Sequence, residues 1–348
     1  MIKSGLLLCF SIFSLLSYSQ ETHTYSLYTI AFYNVENLFD TIDDPNSFDD
    51  EMTPLGSYRW NLKRYEVKID RIAKVISKIG ATLSNKPPDI IGLCEIENYA
   101  VLADLINHPS IQSFGYEIIH EDSPDDRGID VALLYRRSSF NPTSFRSHRL
   151  LLFDESNKRD FTRDQLIVGG FIEDEELFFI INHWPSRRGG EARSRPYRKV
   201  AARLNRRLID SVTKINPNAK IISMGDLNDN PFDPSIKNNL TDILDTVYRK
   251  VSLFNPMESL YKKGLGSLAY RDQWSLFDQI LCSGNLKNSD LSTLGFWKAG
   301  IFNPSYLLTK KGAFKGYPKR TYAGGTYTAG YSDHFPVYIY LLKKAGCN

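Results

Sequence analysis

Five short polar clusters in this 348-residue chain hold residue types able to do acid–base or ion-binding chemistry, and each follows or precedes an apolar run. They are Asn34-Val35-Glu36-Asn37, Glu95-Ile96-Glu97-Asn98, Asn182-His183-Trp184-Pro185, Asp226-Leu227-Asn228-Asp229 and Ser332-Asp333-His334. A carboxylate at the end of a buried strand is costly unless it is paired or ligates a cation. Glu95, directly after Ile90–Cys94, is therefore expected to be structural by pairing, or a ligand. Taken alone, His183 reads as a satisfied core histidine sooner than as a catalyst. Gly225 lets the chain turn sharply, so that Asp226 and Asn228 can point the same way. Asp278, mid-strand in Phe277-Asp278-Gln279-Ile280, is the natural partner of His334. A carboxylate hydrogen-bonded to an imidazole fixes its tautomer and raises its basicity, which suits a general base near neutral pH. Ser332 reads as a turn and capping residue.

The elements that must position these clusters are mostly short strands. The pattern predicts strands at Tyr28–Tyr33, Ile90–Cys94, Tyr116–His120, Val131–Tyr135, Leu166–Phe171, Leu177–Asn182, Lys220–Met224, Leu276–Cys282 and Val337–Leu342. Runs such as Ile90-Ile91-Gly92-Leu93-Cys94 are apolar on both faces and read as central strands covered on each side. Two helices are expected. One spans about Lys63 to Ile79, with Ile69, Ile72, Ile76 and Ile79 on one face; the other spans about Pro196 to Lys214, with Pro196 in its first turn. Helices among many strands imply one α/β or α+β domain in which sheets pack face to face under helices. The segment from Ser292 to Tyr331 reads as a long loop rich in aromatics and cations. It suits either stacking on bases and holding phosphates or packing on itself.

The first twenty residues stand apart. Lys3, an apolar run from Gly5 to Leu16 and Ser17-Tyr18-Ser19 form a signal-peptide pattern, with cleavage expected before Gln20. The run is too short to cross about 30 Å of hydrocarbon, so no stable membrane insertion is expected. Residues 1–19 are read as a signal peptide, 20–348 as one domain, and the mature chain as secreted or periplasmic. Export permits disulfides, yet Cys94 and Cys282 lie in apolar strand-like runs and Cys347 at the tail, so no essential disulfide or thiol chemistry is expected. A net charge of +3 is too weak by itself to indicate a nucleic-acid partner.

Taken together and in this order, the five clusters resemble the endonuclease/exonuclease/phosphatase superfamily, which includes pancreatic deoxyribonuclease. The resemblance runs from Asn34 to His334. Its most specific pieces are Gly225-Asp226-Leu227-Asn228 and Ser332-Asp333-His334-Phe335-Pro336, while Leu93-Cys94-Glu95 matches the family's Leu-Gln-Glu with one change. It implies an α+β fold, a four-layer α/β sandwich of two packed mixed β-sheets flanked by helices. It also implies a hydrolase of phosphate esters working by in-line attack of water, with Glu95 as the principal metal-ligating carboxylate, Asn34 close by, and Asp333 assisting His334 or a second metal. Hard oxygen donors favour Mg²⁺ or Mn²⁺, with Ca²⁺ as a further candidate, over zinc. By the same resemblance His334, oriented by Asp278, activates the water, Asp226 and Asn228 align it with the phosphoryl oxygens, and His183 contacts the phosphate. Glu36 and Glu97 receive no role. Around Asp125–Val131, relatives often hold a phosphate-contacting Tyr or Arg; Arg127 stands near that place and Asp130 is unexpected there.

For the substrate, the most informative feature is Arg187 to Lys199, where Arg187, Arg188, Arg193 and Arg195 follow His183 and lead into the second helix. Such a loop can cradle a polyanion. The expected substrate is therefore DNA or RNA, cleaved as by an endonuclease; the alternative is a lipid head group, as in sphingomyelinases, or a small phosphoester. No obligate protein partner is evident, and a monomer is expected.

Overall fold

The computed structural model describes residues 24–242 and 251–346. The signal-peptide pattern at 1–19, Gln20 and Cys347 lie outside the described residues. The main strands in chain order are β1 (Tyr25–Leu38), β2 (Ile90–Ile96), β3 (Tyr116–His120), β4 (Asp130–Arg136), β5 (Asn141–His148) and β6 (Gln165–Ile172). They are followed by β7 (Glu175–His183), β8 (Lys220–Asp226), β9 (Leu253–Phe254), β10 (Asp278–Ser283), β11 (Gly295–Ile301) and β12 (Val337–Lys344). The longer helices are α1 (Leu62–Ile76), α2 (Tyr99–Ile106) and α3 (Glu191–Ile215).

These strands form two six-stranded sheets, ordered β11-β12-β1-β2-β4-β3 and β9-β10-β8-β7-β6-β5. Each sheet has a parallel pair at its centre, β1 with β2 and β7 with β8, and antiparallel neighbours outside it. Side-chain alternation explains why the central strands are apolar on both faces. On β1, Ile30 and Phe32 join the core between the sheets, while Ala31 and Tyr33 face α1 with Ile69, Ile72 and Ile76. On β8, Ile222 and Met224 enter the same inter-sheet core, while Ile221 packs with Leu204, Leu208 and Val212 of α3. The outcome is four layers, helix–sheet–sheet–helix, an α+β sandwich of two mixed sheets. Cys94 and Cys282 are buried, unpaired thiols in the inter-sheet core.

Several elements differ from their sequence reading. Helix α3 begins at Glu191, five residues before Pro196, so the proline sits inside the helix and the basic stretch is largely helical. Gly225 is not a turn: it lies within β8, opposite Asn182 and Gln279. A Cβ there would meet Asn182 O at 2.4 Å, so the glycine serves close strand approach. The turn comes at Asn228, in the left-handed region at φ 49°. Strands β5, β9 and β11 lie at sheet edges and were not read from the sequence. β11 occupies the start of the expected loop from Ser292, and most of the aromatics beyond it pack on the α1 core, while Lys310–Lys315 is exposed. Phe302, Tyr306, Tyr322, Tyr327 and Tyr331 lie against the α1 core, with Arg64 over Tyr327 and Arg71 over Tyr331.

Candidate active site

The carboxyl ends of the two parallel pairs meet at one junction of the sandwich. β1 and β2 deliver Asn34 and Glu95, and β7 and β8 deliver His183 and Asp226, which face each other in register. Asp278, the first residue of β10, pairs with Asp226 across the antiparallel ladder. His334 arrives from the turn that leads into β12. Two bulges aim the first pair: Glu95 takes φ 62°, and Glu36 and Asn37 take φ 52° and 51°. Left-handed backbone at non-glycine residues is strained and persists where the surroundings hold it. Here the Asn37 N–H donates to Glu95 Oε2 at 2.9 Å, and the Glu36 N–H donates to Asn34 Oδ1 at 2.9 Å.

Asp226 Oδ2 is the hub. It accepts from Asn34 Nδ2 at 3.1 Å and lies 3.8 Å from both His183 Nε2 and His334 Nε2. Glu95 Oε1 lies 3.3 Å from Asn34 Nδ2 and 3.9 Å from His183 Nε2. His334 Nδ1 is 2.6 Å from Asp278 Oδ2, and its backbone N–H donates to Ser332 Oγ, which itself donates to Asn34 O. Ser332 thus acts as a turn residue tying two clusters together. Asn228 donates its backbone N–H to Asp226 Oδ1 and its side-chain amide to Trp184 O. Asp333 lies 3.9 Å from His334 Nε2 and accepts from Arg320 at 2.7 Å.

The electrostatics separate the two histidines. Burial opposes charge on His334, but Asp278, Asp226 and Asp333 outweigh it and hold the imidazole well above its usual pKa. His183 is held well below, first by burial and then by the positive charges of Arg163, Arg127 and His334. Burial, reinforced by Asp278 and opposed by His334, pushes Asp226 up to about 7. Burial and Asp333 push Glu36 up to about 7 against the pull of Lys68 and Arg320.

The donor set fits a hard divalent cation. Among the described residues no lysine or arginine pairs with Glu95, and the groups converging on Asp226 Oδ2 are oxygens, amides and imidazoles without a thiolate. Glu95 is thus a carboxylate without a cationic partner and could hold the ion, and Asp226, Asp278 and His334 form a second group whose ligand atoms lie within 4.8 Å of one another. Asn34 accepts the Glu36 N–H on its amide oxygen, and its NH₂ faces the carboxylates of Glu95 and Asp226. Asp333 already has Arg320 as counter-charge.

The arginines disperse. Arg187 donates to Asn228 O, Asp229 and Asp233 and lies over Phe277, so its charge is spent within the fold. Arg195 pairs with Glu191 one turn back, and Arg198, fully buried, pairs with Asp229 at 2.6 Å. Arg188 is exposed, and Arg193 is exposed beside Glu155. Three residues that sequence reasoning missed frame the site. Arg163 donates to Asp125 and to Trp184 O, Arg320 bridges Glu36 and Asp333, and buried Lys68 donates to Thr321 Oγ1 and Tyr331 O. Arg320 stood among the cations of the segment after Ser292 and Lys68 was a lysine on the apolar face of α1, while Arg163 carried no signal.

Two mixed sheets whose strand ends gather carboxylates, amides and imidazoles around one buried oxygen make a centre for a hard cation and an anionic ester. The chain belongs to the Endonuclease/Exonuclease/phosphatase family, whose model matches residues 29–343. Members are phosphoric ester hydrolases that use divalent metals. No curated protein matched by sequence. Solved structures share the fold at low identity. An endonuclease/exonuclease/phosphatase family protein from Bacteroides thetaiotaomicron is 16% identical, with TM-score 0.52 over 93% of this chain and 97% of that one. A mannosyl-6-phosphatase from the same organism is 17% identical, with TM-score 0.54 over 90% and 99%. TDP2 from D. rerio, complexed with a single-strand DNA product, is 15% identical, with TM-score 0.53 over 91% and 99%.

Proposed function

We propose that this protein is an exported, divalent-metal-dependent hydrolase of a small phosphoester. The observation that carries the chemistry is the approach of His183 and His334 to Asp226 Oδ2, with Glu95 joined to it through Asn34 and His334 backed by Asp278. A bound Mg²⁺ or Mn²⁺, held by Glu95, would neutralise charge on the phosphoryl group. Neutral His183 presents Nε2 to a phosphoryl oxygen, with Asn34 Nδ2 beside it. Water attacks phosphorus in line, the new P–O bond forms as the ester P–O bond breaks, and the water's proton passes to a carboxylate or imidazole. Asp226, with a pKa near neutrality, suits the base better than His334. His334, held protonated, is placed to stabilise a phosphoryl oxygen or protonate the leaving alkoxide. This exchanges the roles expected from sequence.

The choice of a small ester over a nucleic-acid strand rests on the arginines. Arg187, Arg195 and Arg198 are matched by internal carboxylates, which leaves Arg188 and Arg193 as the arginines of that stretch to meet successive phosphates. The nuclease reading keeps one supporting observation, exposed Arg188 and Arg193 in the loop after β7 and the first turn of α3. Fold likeness does not decide, since the neighbours' names span a sugar phosphatase and a DNA-bound protein. The test is hydrolysis of sugar phosphates, p-nitrophenyl phosphate, bis-p-nitrophenyl phosphate, plasmid DNA and RNA, with Mg²⁺ or with chelator. Chelator-sensitive turnover of the small esters supports the reading, and salt-sensitive cleavage of DNA or RNA in preference to them would replace it with the nuclease.

A further inference from the structure

The three cations that frame the active site differ in what they leave free. Lys68 and Arg163 are buried, and both donate to groups of the fold. Arg320 is exposed. Side-chain exposure rises from 3% at Asp226 through 7% at His334 and 26% at Asp333 to 55% at Arg320, so these residues mark a path from the buried centre to its mouth. The path runs along the reacting side of His334. Asp278 takes Nδ1 from behind, while Nε2 lies 3.8 Å from Asp226 Oδ2 and 3.9 Å from Asp333 Oδ1. The other oxygen of Asp333 accepts from Arg320 Nη2 at 2.7 Å. One carboxylate thus separates the guanidinium from His334 Nε2, and the charge of Glu95 also acts on the guanidinium.

The fold fixes this arginine at both ends. Glu36 Oε1 accepts from Arg320 Nε at 3.3 Å, and Glu36 Oε2 accepts the neighbouring Thr321 N–H at 2.6 Å. Glu36 is buried and left-handed at φ 52°, and among the described residues its cationic partners are Arg320 and Lys68. A strained backbone carrying a buried carboxylate persists only where the surroundings hold it. The Arg320 carbonyl accepts from Thr328 Oγ1, and Gly330 passes so close that a Cβ on it would meet that carbonyl oxygen at 1.6 Å. Carboxylates therefore hold the Nε–Nη2 edge of the guanidinium, while among the described residues nothing pairs with Nη1. A planar fork fixed along one edge and open at its end is suited to phosphoryl oxygens.

We propose that Arg320 is a substrate-binding residue that selects phosphomonoesters, its free Nη1 end donating to a terminal oxygen of the phosphoryl group at the Asp226 centre. The proposal rests on the phosphoester-hydrolase reading and names its substrate class. A monoester phosphoryl group keeps three terminal oxygens and a charge of roughly −1.5 to −2 near neutral pH. A diester keeps two such oxygens and a single charge, and sets a second carbon substituent in place of the third. A fixed cation at the mouth gains more from the former.

The test uses p-nitrophenyl phosphate and bis-p-nitrophenyl phosphate, which release the same leaving group, with Mg²⁺ and the wild type, Arg320→Met and Arg320→Lys. The monoester-to-diester ratio of kcat/KM is expected to fall at least about tenfold in Arg320→Met, mainly through KM for the monoester. Arg320→Lys, which keeps the charge and loses the fork, is expected to fall between the two. The ratio does not depend on how much of a variant is folded. An equal loss on both esters, as a merely structural tie would give, overturns the assignment, and so does an unchanged ratio. A second arm titrates inorganic phosphate in Mg²⁺ by ³¹P NMR. Affinity lower by about tenfold in Arg320→Met supports the arginine even if no ester is hydrolysed, in which case the hydrolase reading alone fails. Monoester hydrolysis with phosphate affinity unchanged in Arg320→Met keeps the hydrolase and overturns the role of Arg320.

Discussion

At the residue scale, the site is one buried carboxylate surrounded by groups that tune it. The sequence named nearly all of them, because polar residues closing apolar runs stand out in the pattern. It could not assign their protonation, which depends on distances between residues far apart in the chain. Asp278 and His334 illustrate this: their pairing was legible, but the joint effect of Asp226 and Asp333 in keeping the imidazole charged was not. Replacing His334 by Ala is expected to lower kcat about 10²–10⁴-fold, the range for a removed acid–base group. Asp278→Asn should lower kcat with little change in KM; an unchanged kcat would mean that the 2.6 Å contact does not orient the imidazole. Glu97 gives a separate, pH-dependent prediction. Burial pushes its carboxyl up to about 8, against the opposing Asp40 N–H. A carboxyl raised in the folded state stabilises below its unfolded pKa, and that contribution is lost as pH rises from about 4.5 to about 8. Glu97→Gln, neutral throughout, should therefore gain in thermal midpoint over the wild type on going from pH 5 to pH 8.5 in chelator, by roughly 2–4 °C. A constant difference across that range would show that Glu97 ionises freely.

At the element scale, the central strands were legible because both faces are apolar, and three of the four edge strands, β5, β9 and β11, were not. β5 exposes most of its side chains, and β9 has only two residues, so neither carries a strong period. β11 was hidden by the glycines and aromatics around it. Helix α3 was found but begun late, since Pro196 signals a first turn and tertiary pairing of Arg198 with Asp229 overrides that signal. The aromatic segment after β11 could have served bases or itself. Its tyrosines pack on α1, and Lys68 fastens it from below through Thr321 and Tyr331. Glu36, 3.9 Å from Lys68, also accepts from Thr321 N–H and Arg320, which links this segment to Asp333. Lys68→Met should cost about 3 kcal/mol in urea unfolding, since it leaves buried acceptors unmatched, and a loss below about 1 kcal/mol would show that the segment holds its place without this tie. Gly225→Ala should likewise destabilise, by about 1–3 kcal/mol, because its Cβ has no room beside Asn182; wild-type stability would mean that β7 and β8 can separate there at no cost.

At the scale of the whole molecule, two sheets place the ends of two parallel pairs at one junction, and substrate choice falls to what surrounds that junction. One flank carries arginines that are mostly matched internally, while Arg320 stands exposed at the mouth. A weak net charge of +3 hides this division. Activity on small esters is accordingly expected to vary little between low and moderate salt, whereas a steep fall would indicate a polyanionic substrate. The central claim is that water attacks phosphorus at the Asp226 centre. Its most direct test is single-turnover hydrolysis of a sugar phosphate in ¹⁸O-water with Mg²⁺, comparing the wild type with Asp226→Asn. The account predicts one ¹⁸O in the released phosphate, none in the alcohol, and a rate at least 10²-fold lower in the variant. Label in the alcohol, or an undiminished rate in Asp226→Asn, would contradict it.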